Sequence, residues 1–220
     1  MVVDGGGEII KISTLSPTRA SNTKYGYYPL EGETGMSDFI DSNTGADVLV
    51  DEELLEDKVD VEYRADIIET HYDEVSRENA VTIAEILKSV MEGYDLNKRE
   101  AREKIVSETG LREARATTVY RTERHSIQLA ESVSEVDLDG MSMEYSWSTA
   151  GDNAVHPVCE TITEMVDKRG GQVPLETLVE LIRAAAEVHA DEGGTPERAD
   201  HFVGHEECRS VMLSHISPDS

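Results

Sequence analysis

The sequence predicts an α+β protein: an N-terminal extended arm, then a long helix and a helical hairpin region, then a small antiparallel sheet in a cross-braced C-terminal module. Three observations predict it. Apolar residues recur at helical spacing from Val61 onward, a period-two alternation takes over at Met141, and both cysteines of the 220-residue chain stand three positions after a histidine. The expected divisions are an arm at 1–50, a helical region at 51–135 and a small α+β module at 136–220.

Residues 1–50 are rich in Gly, Ser, Thr, Asn and Tyr, with Tyr25, Tyr27 and Tyr28 gathered before Pro29 and no periodicity. This is an extended arm whose tyrosines can anchor it on a partner, or a tail without a role. Val61, Ala65, Ile68, Tyr72, Val75, Ile83, Ile86 and Val90 then follow steps of mostly four and three, which predicts one long helix stopped by Gly93. Such a helix of about 35 residues would extend over roughly 50 Å and pack on another helix or another protein. Asn79 interrupts the stripe, either fixing register or sitting at its rim.

Asn97 and Glu100 form a capping-box pattern that opens a short helix closed by Gly110, and a third helix runs from about Leu111 to Val133. After Asp139-Gly140, the residues Met141, Met143, Tyr145 and Trp147 alternate with polar ones, which predicts a half-buried strand with Trp147 in the core. Pro174 opens an amphipathic helix carrying Leu175, Leu178, Val179, Ile182 and Ala186, ended before Gly193-Gly194. Val211, Met212 and Leu213 predict a closing strand that pairs with the first.

The two His-x-x-Cys pairs, His156 with Cys159 and His205 with Cys208, make matching half-sites. A thiolate and an imidazole in one turn can reach one ion together, and two such turns complete a closed shell for structural Zn2+. The predicted metal ligands are therefore His156, Cys159, His205 and Cys208, with His201, His189 or Asp152 able to replace one of them. The plainer alternative is two buried free thiols. His125, beside Arg124, reads as a surface residue.

A zinc hydrolase would need an open position on the metal and a general base, for which Glu206 or Glu207 is at hand. Four protein ligands leave no open position, and the helical His-Glu-x-x-His arrangement and the nucleobase-deaminase pattern are both missing. Gly5-Gly6-Gly7 precedes no Lys-Ser or Lys-Thr, so no phosphate-cradling loop is present either. The expectation is a protein that is not an enzyme.

Asp and Glu number 46 against 20 Lys and Arg, a formal net charge of −26 spread along the whole chain. Direct high-affinity binding of nucleic acid is disfavoured by that balance, since phosphate capture depends on concentrated positive charge. A compact fold with this excess repels itself in dilute buffer, but at molar salt the screening length falls to about 3 Å. A salt-rich cytoplasm accounts for the acidity, and docking on a basic partner is the competing account. No apolar run approaches the roughly 20 residues that span a bilayer, and no charged-then-apolar leader begins the chain, so a soluble protein without membrane contact is expected.

The order of certain residues adds a resemblance. A helix with Tyr120-Arg121-Thr122-Glu123, a strand ending in Trp147, a loop with Asp152 and the end His205-Glu206-Glu207-Cys208-Arg209 resemble the Mu F-like family of phage head morphogenesis proteins over roughly residues 111–216. That family typically has an Arg-Thr-Glu triplet, Asp followed by Cys-x-x-Cys, and a terminal His-Pro-x-Cys-Arg-Cys. Here His156 stands for the first Cys, Glu206 for Pro and Ser210 for the last Cys. The resemblance implies a minor head protein of a tailed virus, assembled in the host cytoplasm and located in the virion at the portal vertex or capsid interior. Its partners would be the portal protein and capsid components, and its role head assembly, DNA packaging or genome delivery. With the acidity, it implies a virus of a salt-loving archaeon. The alternatives are a zinc-dependent hydrolase of the virus cycle and an acidic zinc-containing adaptor protein. In the triplet, Glu123 can turn inward toward the Asp152 loop while Arg121 clamps a carboxylate, or both can be ordinary solvated charges.

Raising KCl from about 0.1 M, where charges interact over about 10 Å, to the molar range is expected to raise the thermal midpoint of the full chain. A midpoint that is flat or falls over that range, followed by circular dichroism, argues for the basic-partner account instead.

Overall fold

The first helical stretch is a pair of helices rather than one rod. In the computed structural model, which describes residues 58–93, 96–134, 141–151 and 154–218, α1 (Val61–His71) and α2 (Arg77–Met91) are separated by a turn. Asp60 caps α1 by accepting from the Tyr63 N–H at 2.8 Å, and the Ser76 hydroxyl caps α2 by accepting from the Asn79 N–H at 3.4 Å. Both helices bury their apolar sides in one core, with Ala65, Ile68, Tyr72, Ile83 and Leu87 all enclosed. The turn keeps the phase of the stripe, so periodicity passes over the break and only the cap residue Ser76 marks it. Asn79 has a task that neither sequence reading named: its side-chain amide donates to the Thr109 carbonyl at 3.2 Å, at the end of the next helix.

That next helix, α3 (Lys98–Thr109), has both halves of the capping box formed, and it ends at Gly110 with φ of 71°. The following helix, α4 (Glu113–Ser134), closes the helical core through Ala116, Val119, Tyr120 and Ile127. Strand β1 (Met141–Ser148) then pairs antiparallel with β2 (Val211–Pro218), with Tyr145 opposite Ser214 and Trp147 opposite Met212. Between the strands run α5 (Pro157–Lys168), α6 (Leu175–Val188) and short 3-10 turns at Ala190–Glu192 and Pro196–His201. Tyr145 and Trp147 face inward as the alternation requires, and Leu178, Val179, Ile182 and Ala186 of α6 are fully buried. The predicted α+β class, with helices first and a small antiparallel sheet after them, is the observed one.

One buried ion cluster joins the early helices to the later segment. Glu123 of α4 is 0% exposed and sits between Arg64 of α1 and Arg198 of the second 3-10 turn, which are 1% and 2% exposed. Arg64 Nη1 donates to Glu123 Oε2 at 3.1 Å, and Arg198 Nη2 and the Tyr72 hydroxyl both donate to Oε1, at 2.5 and 2.8 Å. Burial opposes the charge on Glu123, but the two guanidiniums and the Tyr72 hydroxyl outweigh it and hold the carboxyl down to about 2. Glu123 thus turns inward, onto two arginines and a tyrosine. Arg198 also donates to the Tyr72 hydroxyl at 3.0 Å and lies over the Tyr72 ring at 5.4 Å.

Three expectations fall on residues outside the described ones: the arm at 1–50 with its tyrosines, the Asp139-Gly140 turn and Asp152. Among the described residues no helix is long and apolar enough to cross a membrane.

Replacing Glu123 with Gln leaves two buried guanidiniums short of their counter-charge. A loss of about 3–5 kcal/mol in urea unfolding is expected, against little change for Arg77→Ala, whose exposed bridges to Glu62, Asp66 and Glu69 lie in water.

Candidate metal centre

Two local features deliver the sulfurs and one imidazole to the same place. Cys159 lies in the first turn of α5, and the turn Gly204 to Cys208 brings His205 and Cys208 against it. Gly204 makes that approach, since a Cβ there would lie 2.8 Å from Val158 Cγ1 on α5. Cys159 Sγ stands 3.0 Å from His205 Nε2 and 3.4 Å from Cys208 Sγ. The three ligand atoms lie within 4.8 Å of one another, and all three residues are buried.

The donor chemistry fits a tetrahedral cation. Bond lengths of roughly 2.3 Å to sulfur and 2.0 Å to nitrogen put tetrahedral ligands about 3.8 Å apart for two sulfurs and about 3.5 Å for sulfur and nitrogen. The observed separations of 3.4 and 3.0 Å are a few tenths of an ångström tighter, so a small outward movement admits an ion. His205 is already in the ligand tautomer. Its Nδ1–H donates to the Glu206 carbonyl at 2.7 Å, which leaves the Nε2 lone pair directed at the sulfurs. The contact between the thiols holds Cys208 well below the usual thiol range, with His125 and His205 adding to the effect against burial. The same contact, together with burial, pushes Cys159 up, while Ser210 and Trp147 facing its sulfur act the other way. A divalent cation would bind both sulfurs as thiolates and displace their protons.

The sequence set His156, Cys159, His205 and Cys208 needs one correction: His156 is not among the gathered ligands. Its ring stacks on His205 with centroids 4.0 Å apart and planes at 11°, so the in-plane lone pairs of the two rings run side by side and do not converge on one ion. Both its nitrogens are also engaged. Nδ1 accepts from the Val158 N–H at 3.3 Å as the N-cap of α5, and Nε2 is 2.9 Å from the Glu192 carbonyl, to which it donates. The signal for this was present in the sequence, since Pro157 at the next position is a helix-start residue. Two of the possible substitutes are placed elsewhere too. His189 bonds Thr161 and Glu192, each at 2.9 Å, and His201 packs edge-on against Tyr63 and His71.

Helix α4 grips the ligand turn from the other side. Glu207, with φ of 56°, has its N–H donated to Thr122 Oγ1 at 3.0 Å, and its carboxylate accepts from Thr118 at 3.2 Å and pairs with Arg121 at 3.5 Å. Glu206 accepts from Arg115 Nη1 at 2.8 and 3.0 Å. His125, expected at the surface, is half-buried on the same helix and stands against Cys208. A cleft lined by His156, Glu192, Gly193, Thr195, His205 and Glu206 opens beside His205.

No family model, curated protein or solved structure matches the chain.

Cys208→Ser and Cys159→Ser are each expected to abolish the stabilisation that zinc gives the wild type. At a free concentration about 1,000 times Kd that gain is about 4 kcal/mol. Hydrogen exchange should show the loss over 141–216 while α1 to α3 stay protected. Unchanged zinc-dependent melting in both variants would remove the metal role.

Proposed function

We propose that the chain is a minor head protein of a tailed virus, associated with the portal and not catalytic, whose C-terminal module is stapled by structural zinc. The observation that carries the reading is a contact between the two most distant parts of the Mu F-like resemblance. All three residues of the Arg121-Thr122-Glu123 triplet serve the C-terminal segment: Arg121 and Thr122 bind Glu207, inside the His205-x-x-Cys208 end, and Glu123 binds Arg198 just before it. A triplet and a knuckle that serve one joint form a module, which is what the resemblance implies. Zinc follows from a borderline-soft ion's preference for two thiolates and imidazole.

The hydrolase reading is supported by the gathered set being three residues, which leaves a fourth position, and by the cleft beside His205. Against it, both carboxylates that would serve as general base are held by arginines of α4, Glu206 by Arg115 and Glu207 by Arg121.

Purified virus particles decide the class. Quantitative mass spectrometry is expected to find the chain in a few copies per particle, cross-linked to the portal protein. Particles free of it, with the chain confined to the host fraction, would replace this reading with the acidic adaptor.

A further inference from the structure

With His156 capping a helix, a tetrahedral ion at Cys159, His205 and Cys208 is one donor short. The missing donor is to be sought among side chains that line the group and have no other engagement. Helix α4 runs past the ligand turn with Thr118, Arg121, Thr122 and His125 at spacings of three, four and seven, one stripe of its surface. The first three members all bind Glu207. The fourth, His125, stands against the next residue, Cys208. Its Nε2 is shut off from solvent and has no hydrogen-bond partner. A buried imidazole nitrogen left without a partner calls for an explanation.

We infer that His125, which stands outside the three atoms gathered within 4.8 Å of one another, moves in on metal binding as the fourth ligand, donating through Nε2 and tying helix α4 to α5 and the His205–Cys208 turn. This rests on the reading that the Cys159–His205–Cys208 group holds a metal. Two thiols lose their protons, two neutral imidazoles give lone pairs, and a divalent cation with this shell is electrically neutral, as a buried site favours. The shell is then closed, with no position for water. The ion joins the helical half to the C-terminal module at a second point, beyond the Glu123 cluster.

Cobalt titration of the reduced full-length chain tests this, comparing wild type, His125→Ala and His156→Ala. The wild type should develop the intense visible absorption of a four-coordinate cobalt site. His125→Ala should bind at least about 10-fold more weakly, with weaker bands as water enters, while His156→Ala should match the wild type. Equal spectra and affinities for His125→Ala and wild type would overturn the assignment of His125 and leave the metal reading standing. A wild type that takes up neither cobalt nor zinc would overturn both. Should His125→Ala not fold, the cadmium-loaded wild type gives the answer without a variant: scalar coupling from the metal nucleus to the His125 and His205 imidazoles supports the inference, and coupling to His205 without His125 refutes it.

Discussion

A single carboxylate fixes how the described part of this chain comes together. Glu123 has no contact with water, and its charge is sustained by Arg64 from 59 residues earlier and Arg198 from 75 residues later. Two arginines and one glutamate leave a net positive charge inside the fold, so the Tyr72 hydroxyl and the ring faces around it matter: Arg198 lies over that ring at 5.4 Å and Arg115 over it at 4.8 Å. Arg64 also donates to Ser126 and the Lys58 carbonyl. Ser126 in turn donates to the His201 carbonyl at 2.9 Å. Helices α1 and α4 and the turn before the ligand residues are therefore one polar joint, and replacing any member with an apolar residue would leave buried charge exposed to nothing.

The same economy governs the arginines nearer the surface. A chain with a formal charge of −26 has few cations to distribute, and several of them serve more than one acid. Arg77 faces Glu62, Asp66 and Glu69, and Arg115 spans Glu74 and Glu206. Acidic residues without such partners are left to counter-ions, which is where a dependence on salt would originate. A divalent cation held by two thiolates adds cohesion without adding surface charge, which suits a protein already far from neutrality.

Much of the fold was legible because it rests on short-range rules. The capping box at Asn97 and Glu100, the αL glycine at Gly110 and the alternation through Tyr145 and Trp147 each act within a few residues, and each appears in the structure as the sequence implies. The break between α1 and α2 was hidden because the turn preserved the helical phase of the apolar residues. One of the four expected ligands, His156, is placed elsewhere for a related reason: identical spacing does not mean identical function, since His156-Pro157 obeys a helix-start rule and His205-Glu206 obeys a turn. The role of His125 was illegible to a reading by motif. It becomes visible as a stripe with Thr118, Arg121 and Thr122, and that stripe has meaning only once the His205–Cys208 turn is known to lie across it. Glu123 shows the same limit, since no local pattern names partners 59 and 75 residues away.

The pairing of β1 with β2 has a consequence for the order in which the chain acquires its structure. Helices α1 to α4 meet neighbours that adjoin them in sequence, so each hairpin closes a short loop at small entropic cost. The ribbon is different: Ser148 meets Val211 and Tyr145 meets Ser214 only after α5, α6 and both 3-10 turns have been threaded between them. Nothing in an isolated two-stranded ribbon holds it together in water. The ribbon therefore depends on the elements threaded between its strands, and before β2 arrives the one backbone partner near at hand for β1 among the described residues is Val173, whose N–H and C=O both bond Tyr145.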